Sequence, residues 1–177
     1  MDNGKIADVL EEAARLYKDE KVEWCTGHWL DAETFVADGI GNLVPDESGA
    51  LSMCAEGALL QASGMSLDGI HGFSFLPVDL EREYIKSKAS SEVADLFIAS
   101  RDALSQYLLA HRQENYVCNT AIEHDESRFP VSVAVVSWND DMITKIISSH
   151  DPSDAKQIAK STVISAMEAT AKDLRNG

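Results

Sequence analysis

At 177 residues the chain fits one domain, 1–177, large enough to bury a core without disulfides, and its 45% hydrophobic content excludes wholesale disorder. The 30 acidic residues against 15 basic give a formal net charge of −15, which argues against nucleic acid and against anionic membrane surfaces as ligands. No apolar run approaches the roughly 20 residues that span a bilayer, and the first residues lack the basic and apolar regions of a signal peptide.

Residues 4–19 predict an amphipathic helix. Ile6, Val9, Leu10, Ala13, Leu16 and Tyr17 recur at three- and four-residue spacing, while Asp8, Glu11, Glu12 and Lys18 fall largely off that stripe. Residues 20–50 are punctuated by Gly27, Gly39, Gly41, Pro45 and Gly49 and predict a long connection with short local structure. Trp24, Trp29 and Phe35 imply that this connection packs onto the body. Residues 51–62 predict a second helix with Leu51, Cys54, Ala55, Ala58, Leu59 and Ala62 on one face and Gly64 as its stop. A second irregular connection follows over 64–80.

Residues 81–113 predict one or two helices, with a break near 86–91 where Ser90 or Ser91 can cap and Glu92 enters the first turn. Val93, Leu96, Phe97, Leu104, Tyr107, Leu108 and His111 line one side of that helix. Residues 114–128 are polar and read as a loop. The run from Pro130 to Trp138 is ambiguous: its β-branched content suits a short strand near 131–137, whereas Pro130 suits the first position of a short buried helix, and without a partner strand a helix or extended connector is favoured. Asp151 then serves as N-cap, Pro152 as first helical residue and Asp154 as first-turn acid of a helix reaching about Leu174, with Lys172 and Arg175 at its negative end. The expected fold is mainly α: a single compact helical domain of about five helices with long irregular connections.

Three short motifs mix a large or reactive residue with a glycine or turn former: Trp24-Cys25-Thr26-Gly27, Met53-Cys54-Ala55-Glu56-Gly57-Ala58-Leu59 and Ser137-Trp138-Asn139-Asp140. Such mixtures mark tight junctions between elements. Cys54, near a helix N-terminus, has the position of an activated nucleophile for acyl transfer or amide hydrolysis. His28, His71, His111 and His124 are the available bases, and Asn139 or Asp140 could orient one of them; the candidate catalytic set is Cys54, His28, Asn139 and Asp140. The same Cys54 shares a face with Leu51, Ala58 and Leu59, which equally predicts a small buried hydrophobe.

Cys25 and His28 have the spacing of a zinc-ligand pair that Cys54, Cys118 and His124 could complete, but a second tight pair is missing, so no metal site is assigned. Asp140-Asp141 and the Glu123, Asp125, Glu126 cluster lack the spacing of a calcium loop, and Asn139 with Asp140 suits a turn and cap. No phosphate loop, dinucleotide fingerprint or Gly-x-Ser-x-Gly elbow occurs, so no cofactor is expected. The odd cysteine count leaves at least one thiol unpaired and points to a reducing compartment, the cytoplasm.

In their order along the chain, the N-terminal amphipathic helix, Trp24 and Gly27, Cys54-Ala55-Glu56-Gly57-Ala58-Leu59 and Trp138-Asn139-Asp140 resemble a family of uncharacterised small proteins of actinobacteria and of phages that infect them. The chain departs from that pattern by extra sequence at about 65–90 and between Asp141 and Asp151. The resemblance implies a bacterial or phage origin and a mostly helical fold, and it carries over no catalytic residue. The leading expectation is a non-enzymatic interaction or regulatory protein, in the bacterial or infected cell, whose acidic surface engages a basic host protein. The alternatives are a cysteine-dependent hydrolase or transferase using Cys54 and a small zinc-binding protein. On the leading reading the Trp, Cys and Gly signatures join helices, with Trp138 packed on the Cys54 helix or on the Trp24 loop.

Overall fold

The computed structural model describes residues 1–20, 22–25, 35–37, 43–45, 51–66, 78–111, 135, 138–139 and 152–177. Helix α1 (Asn3–Lys18) starts at Asp2, whose carboxylate accepts the Gly4 N–H at 3.1 Å and satisfies one of the orphan donors of the first turn. Its apolar stripe buries Ile6, Val9, Leu10, Ala13 and Tyr17, together with Ala7 and Ala14. Full burial of a side chain such as Leu10 contributes about 1.5–3 kcal/mol. Lys18 and Arg15 in the last turn complement the negative helix end.

The chain next forms short strands within the segment expected to be irregular. Strand β1 (Val22–Trp24) pairs in parallel with β4 (Leu51–Met53), in the register Val22↔Leu51, Glu23↔Ser52, Trp24↔Met53. Between them, β2 (Phe35–Ala37) pairs antiparallel with β3 (Leu43–Pro45). The second helix therefore starts later than the apolar face suggested. Leu51, Ser52 and Met53 are taken by the ladder with β1, and α2 spans Ala55–Ala62 with Cys54 as its N-cap. Tertiary pairing outweighs local periodicity over so short a stretch.

Gly64 ends α2 as expected, at φ +94°. The Gly64 N–H donates to Gln61 O at 3.0 Å and the Met65 N–H to Leu60 O at 3.2 Å, the paired bonds of a left-handed cap that a side chain would strain. Helices α3 (Val78–Lys88) and α4 (Ser91–Ala110) meet at the expected break, where Ser90 Oγ accepts the Val93 N–H at 3.2 Å and Glu92 lies in the first turn. Helix α5 (Pro152–Asn176) begins on the proline and runs two residues past the expected end. Val135, Trp138 and Asn139 are helical; the rest of 131–137, the predicted cap Asp151 and the polar stretch 114–128 lie outside the described residues.

The chain is thus mainly α, with five helices and two two-stranded ladders among the described residues. Helix α1 packs along α5 and also touches α2 and α4. Arg175 reaches Asp8 and Glu11 at 2.7 and 2.9 Å, while Lys18 pairs with Glu168, so α1 and α5 run antiparallel. These exposed pairs add little stability but fix the register of the two helices. Small buried residues, Ala7, Ala13 and Ala14 on α1 and Ala155, Ala159 and Ala171 on α5, leave room for close helix packing. The buried side chains form one cluster that also takes in Trp24, Met53, Leu59, Phe97, Val135 and Trp138. Among the described residues no helix is long and apolar enough to cross a membrane.

Candidate functional site

The three motifs converge on one side chain, Asn139. Its Oδ1 accepts the Trp24 indole N–H at 2.8 Å and the Ala55 N–H at 3.1 Å, and its Nδ2 donates to Cys25 O at 3.1 Å. A primary amide offers one oxygen with two lone pairs and two N–H donors. Asn139 uses at least three of these four positions in a site where it is 2% exposed, two of them at the end of β1 and one at the start of α2. The Ala55 N–H is one of the orphan donors that open α2. Two residues on, the Gly57 N–H donates to Cys54 Sγ at 3.4 Å. Sulfur is a weak acceptor, so the Asn139 amide supplies the stronger half of the α2 cap.

Tyr17 closes the junction from α1: its hydroxyl donates to Met53 O at 2.9 Å, and the Cys25 N–H donates to the same carbonyl at 3.2 Å. Trp138 is buried beside Asn139, and Trp24 is 1% exposed.

Cys54 is buried, and burial pushes its thiol well above the usual cysteine range; the Glu56 charge and then Cys25 push the same way. The N–H groups of Gly57 and Glu56 oppose this shift without reversing it. A thiol in this setting stays protonated at neutral pH, and the thiolate is the nucleophilic form. Of the candidate set, Cys54 and Asn139 are brought to the same helix start, while His28 and Asp140 lie outside the described residues, as do His71 and His124. His111 caps the far end of α4, where its ring stacks on Tyr107 at 4.1 Å. Together with Trp138, Ile158 and Ala166 these residues border a cavity of about 480 Å³ between α4 and α5. Among the described residues no three His, Cys, Asp or Glu side chains are placed to share a metal ion; Cys118 is not described.

One feature of the site was missed from the sequence. Glu56 in the first turn of α2 faces Arg101 of α4 at 3.5 Å, with the two side chains 6% and 2% exposed. The Arg101 guanidinium also lies over the Phe97 ring, 5.1 Å from its centre. The signal was present in the spacing: Arg101 stands four residues after Phe97 and three before Leu104, on the apolar stripe of α4, where a lone cation needs a buried partner.

No family model, curated protein or solved structure matches the chain.

Proposed function

We propose that this chain is a non-enzymatic interaction or regulatory protein of bacterial or phage origin, acting in the cytoplasm by presenting an acidic surface to a basic partner protein. The observation that carries this reading is the Asn139 junction. The Trp24 indole, the Cys25 carbonyl, the Ala55 N–H and the Asn139 amide of the three motifs are engaged in bonds that hold β1, α2 and Trp138–Asn139 together. Burial of the Cys54 thiol, with its raised pKa, weighs for this reading over a Cys54-dependent hydrolase or transferase.

Function then falls to the surface. Lys5, Arg15, Lys18, Lys86, Lys156 and Arg175 each pair with a carboxylate, so much of the positive charge is already neutralised locally. With a net charge of −15, the excess is carboxylate. Such a surface attracts a cationic protein over a Debye length of about 8–10 Å.

Affinity capture from bacterial lysate at rising salt, with the bound protein identified and then purified, tests the proposal. A basic protein whose affinity falls steeply as salt rises is the expected result. A purified partner that binds equally at low and high salt, or that is itself acidic, overturns it.

A further inference from the structure

The parallel register of β1 and β4 places two cysteines side by side. Trp24 pairs with Met53 as the last step of the ladder, and the residue that follows each strand is a cysteine, Cys25 and Cys54. The strands stay joined into that step, because the Cys25 N–H donates to Met53 O at 3.2 Å. Cys54 keeps extended backbone, φ −79° and ψ 173°, before α2 begins. Neighbouring strands lie about 4.8 Å apart, inside the Cα separation of about 4.4–6.8 Å that a disulfide spans, and register neighbours project to the same face of a ladder. We propose that Cys25 and Cys54 form a reversible dithiol–disulfide site, oxidised by a peroxide and reset by a thiol reductant.

Both residues are thiols, with Cys25 half-buried and Cys54 buried. Their proximity has an electrostatic trace. Cys25 contributes to the raised pKa of Cys54, and both contribute to that of the Tyr17 hydroxyl, so all three groups share one neighbourhood. The difference in exposure sets the order of events. The Cys25 thiolate attacks the peroxide: an S–O bond forms, the O–O bond breaks and hydroxide leaves, taking a proton to become water. The Cys54 sulfur then attacks the Cys25 sulfenic acid: the S–S bond forms, the S–O bond breaks, and the hydroxyl departs as water with the Cys54 proton. Two electrons pass from two thiols to one peroxide, and two waters are released. Oxidation ties the end of β1 to the cap of α2, across the 28 residues between the two cysteines.

The test uses the full chain treated with hydrogen peroxide, then denatured in iodoacetamide and cut by a glutamyl protease, which cleaves at Glu33 and Glu47 between the two cysteines. The expected result is a peptide pair joined through Cys25 and Cys54, lighter by two hydrogens and separated by dithiothreitol. A C118S chain gives the same pair and loses both thiols to titration with an aromatic disulfide reagent, whereas C25S/C118S keeps its single thiol. Cross-links that involve Cys118, cross-links between chains, or a Cys54 still alkylated after Cys25 has oxidised would each overturn the proposal. If C118S does not fold, peptide mapping of the wild-type chain decides alone.

Discussion

The indole of Trp24 and the side-chain amide of Asn139 meet in a buried hydrogen bond of 2.8 Å, across 115 positions of sequence. The same amide oxygen holds the first N–H of α2. A residue that sequence alone places at a turn therefore acts as a peg between β1 and α2.

Asn139→Ala leaves the Trp24 indole N–H, the Ala55 N–H and the Cys25 carbonyl without this partner in a site that water hardly reaches. Each buried group left unsatisfied costs about 1–3 kcal/mol, so the variant should lose roughly 3 kcal/mol or more, equivalent to a Tm lower by about 6–12 °C. Trp24→Phe removes one donor only and should cost less. Urea denaturation of both single variants and the double gives the coupling energy; additive losses would show that the bond carries no stability of its own.

Alkaline pH should weaken the fold through Cys54 and Tyr17. Burial raises both pKa values well above their ordinary ones. The unfolded thiol ionises near pH 8.5 and the unfolded phenol at about pH 10, while the folded groups still hold their protons. Above those values the unfolded state binds fewer protons, so stability is full below about pH 8.5 and falls as pH rises. Denaturation midpoints at neutral pH and at steps above it measure the slope, and Cys54→Ser should remove the thiol part of it. A flat profile would mean that both the Cys54 thiol and the Tyr17 hydroxyl reach solvent, and a slope unchanged by Cys54→Ser that Cys54 does.

At the acid end the sign reverses. The Arg175 hydrogen bond holds Glu11 below the usual carboxylate range, and the Arg15 hydrogen bond does the same for Glu12. Their contribution is present above the unfolded carboxylate pKa and is lost as pH falls through the lower folded value. Both pairs are exposed, so the effect is small and weakens with salt. Arg175→Ala should flatten the acid limb at low salt and leave it unchanged at high salt.

The Glu56–Arg101 pair should behave asymmetrically. Removing one partner, as in Arg101→Met, strands a buried charge and costs about 3–5 kcal/mol. Replacing both, as in Glu56→Leu with Arg101→Met, should restore most of that loss, because two buried ions give way to apolar contacts of similar volume. Thermal melts of the three variants decide it; a double variant no better than the worse single would show that the pair has a role beyond charge compensation.

The helices were legible because their signals are local. The stripe from Ile6 to Tyr17, the Ser90 cap and the Pro152 start each lie within a few residues of the feature they specify. The strands were not, because a three-residue ladder such as Val22–Trp24 on Leu51–Met53 owes its existence to a partner about thirty positions away. That same ladder moved the start of α2 from Leu51 to Ala55. For the candidate site, motif composition pointed to junctions, and Cys54 and Asn139 do meet at one. The hydrogen-bond assignments of Asn139 and the Glu56–Arg101 pair depend on tertiary distances that spacing does not encode, although Arg101 on an apolar stripe was a readable anomaly.

The central claim of the proposal is that the Cys54 thiol is shielded from outside reagents in the folded chain. Time-resolved alkylation of Cys54 in the native wild-type chain at neutral pH, read by peptide mass against the same chain in denaturant, tests it most directly. The account predicts that Cys54 stays unmodified while folded and labels fully once unfolded. Rapid labelling of Cys54 in the folded chain at neutral pH would contradict it.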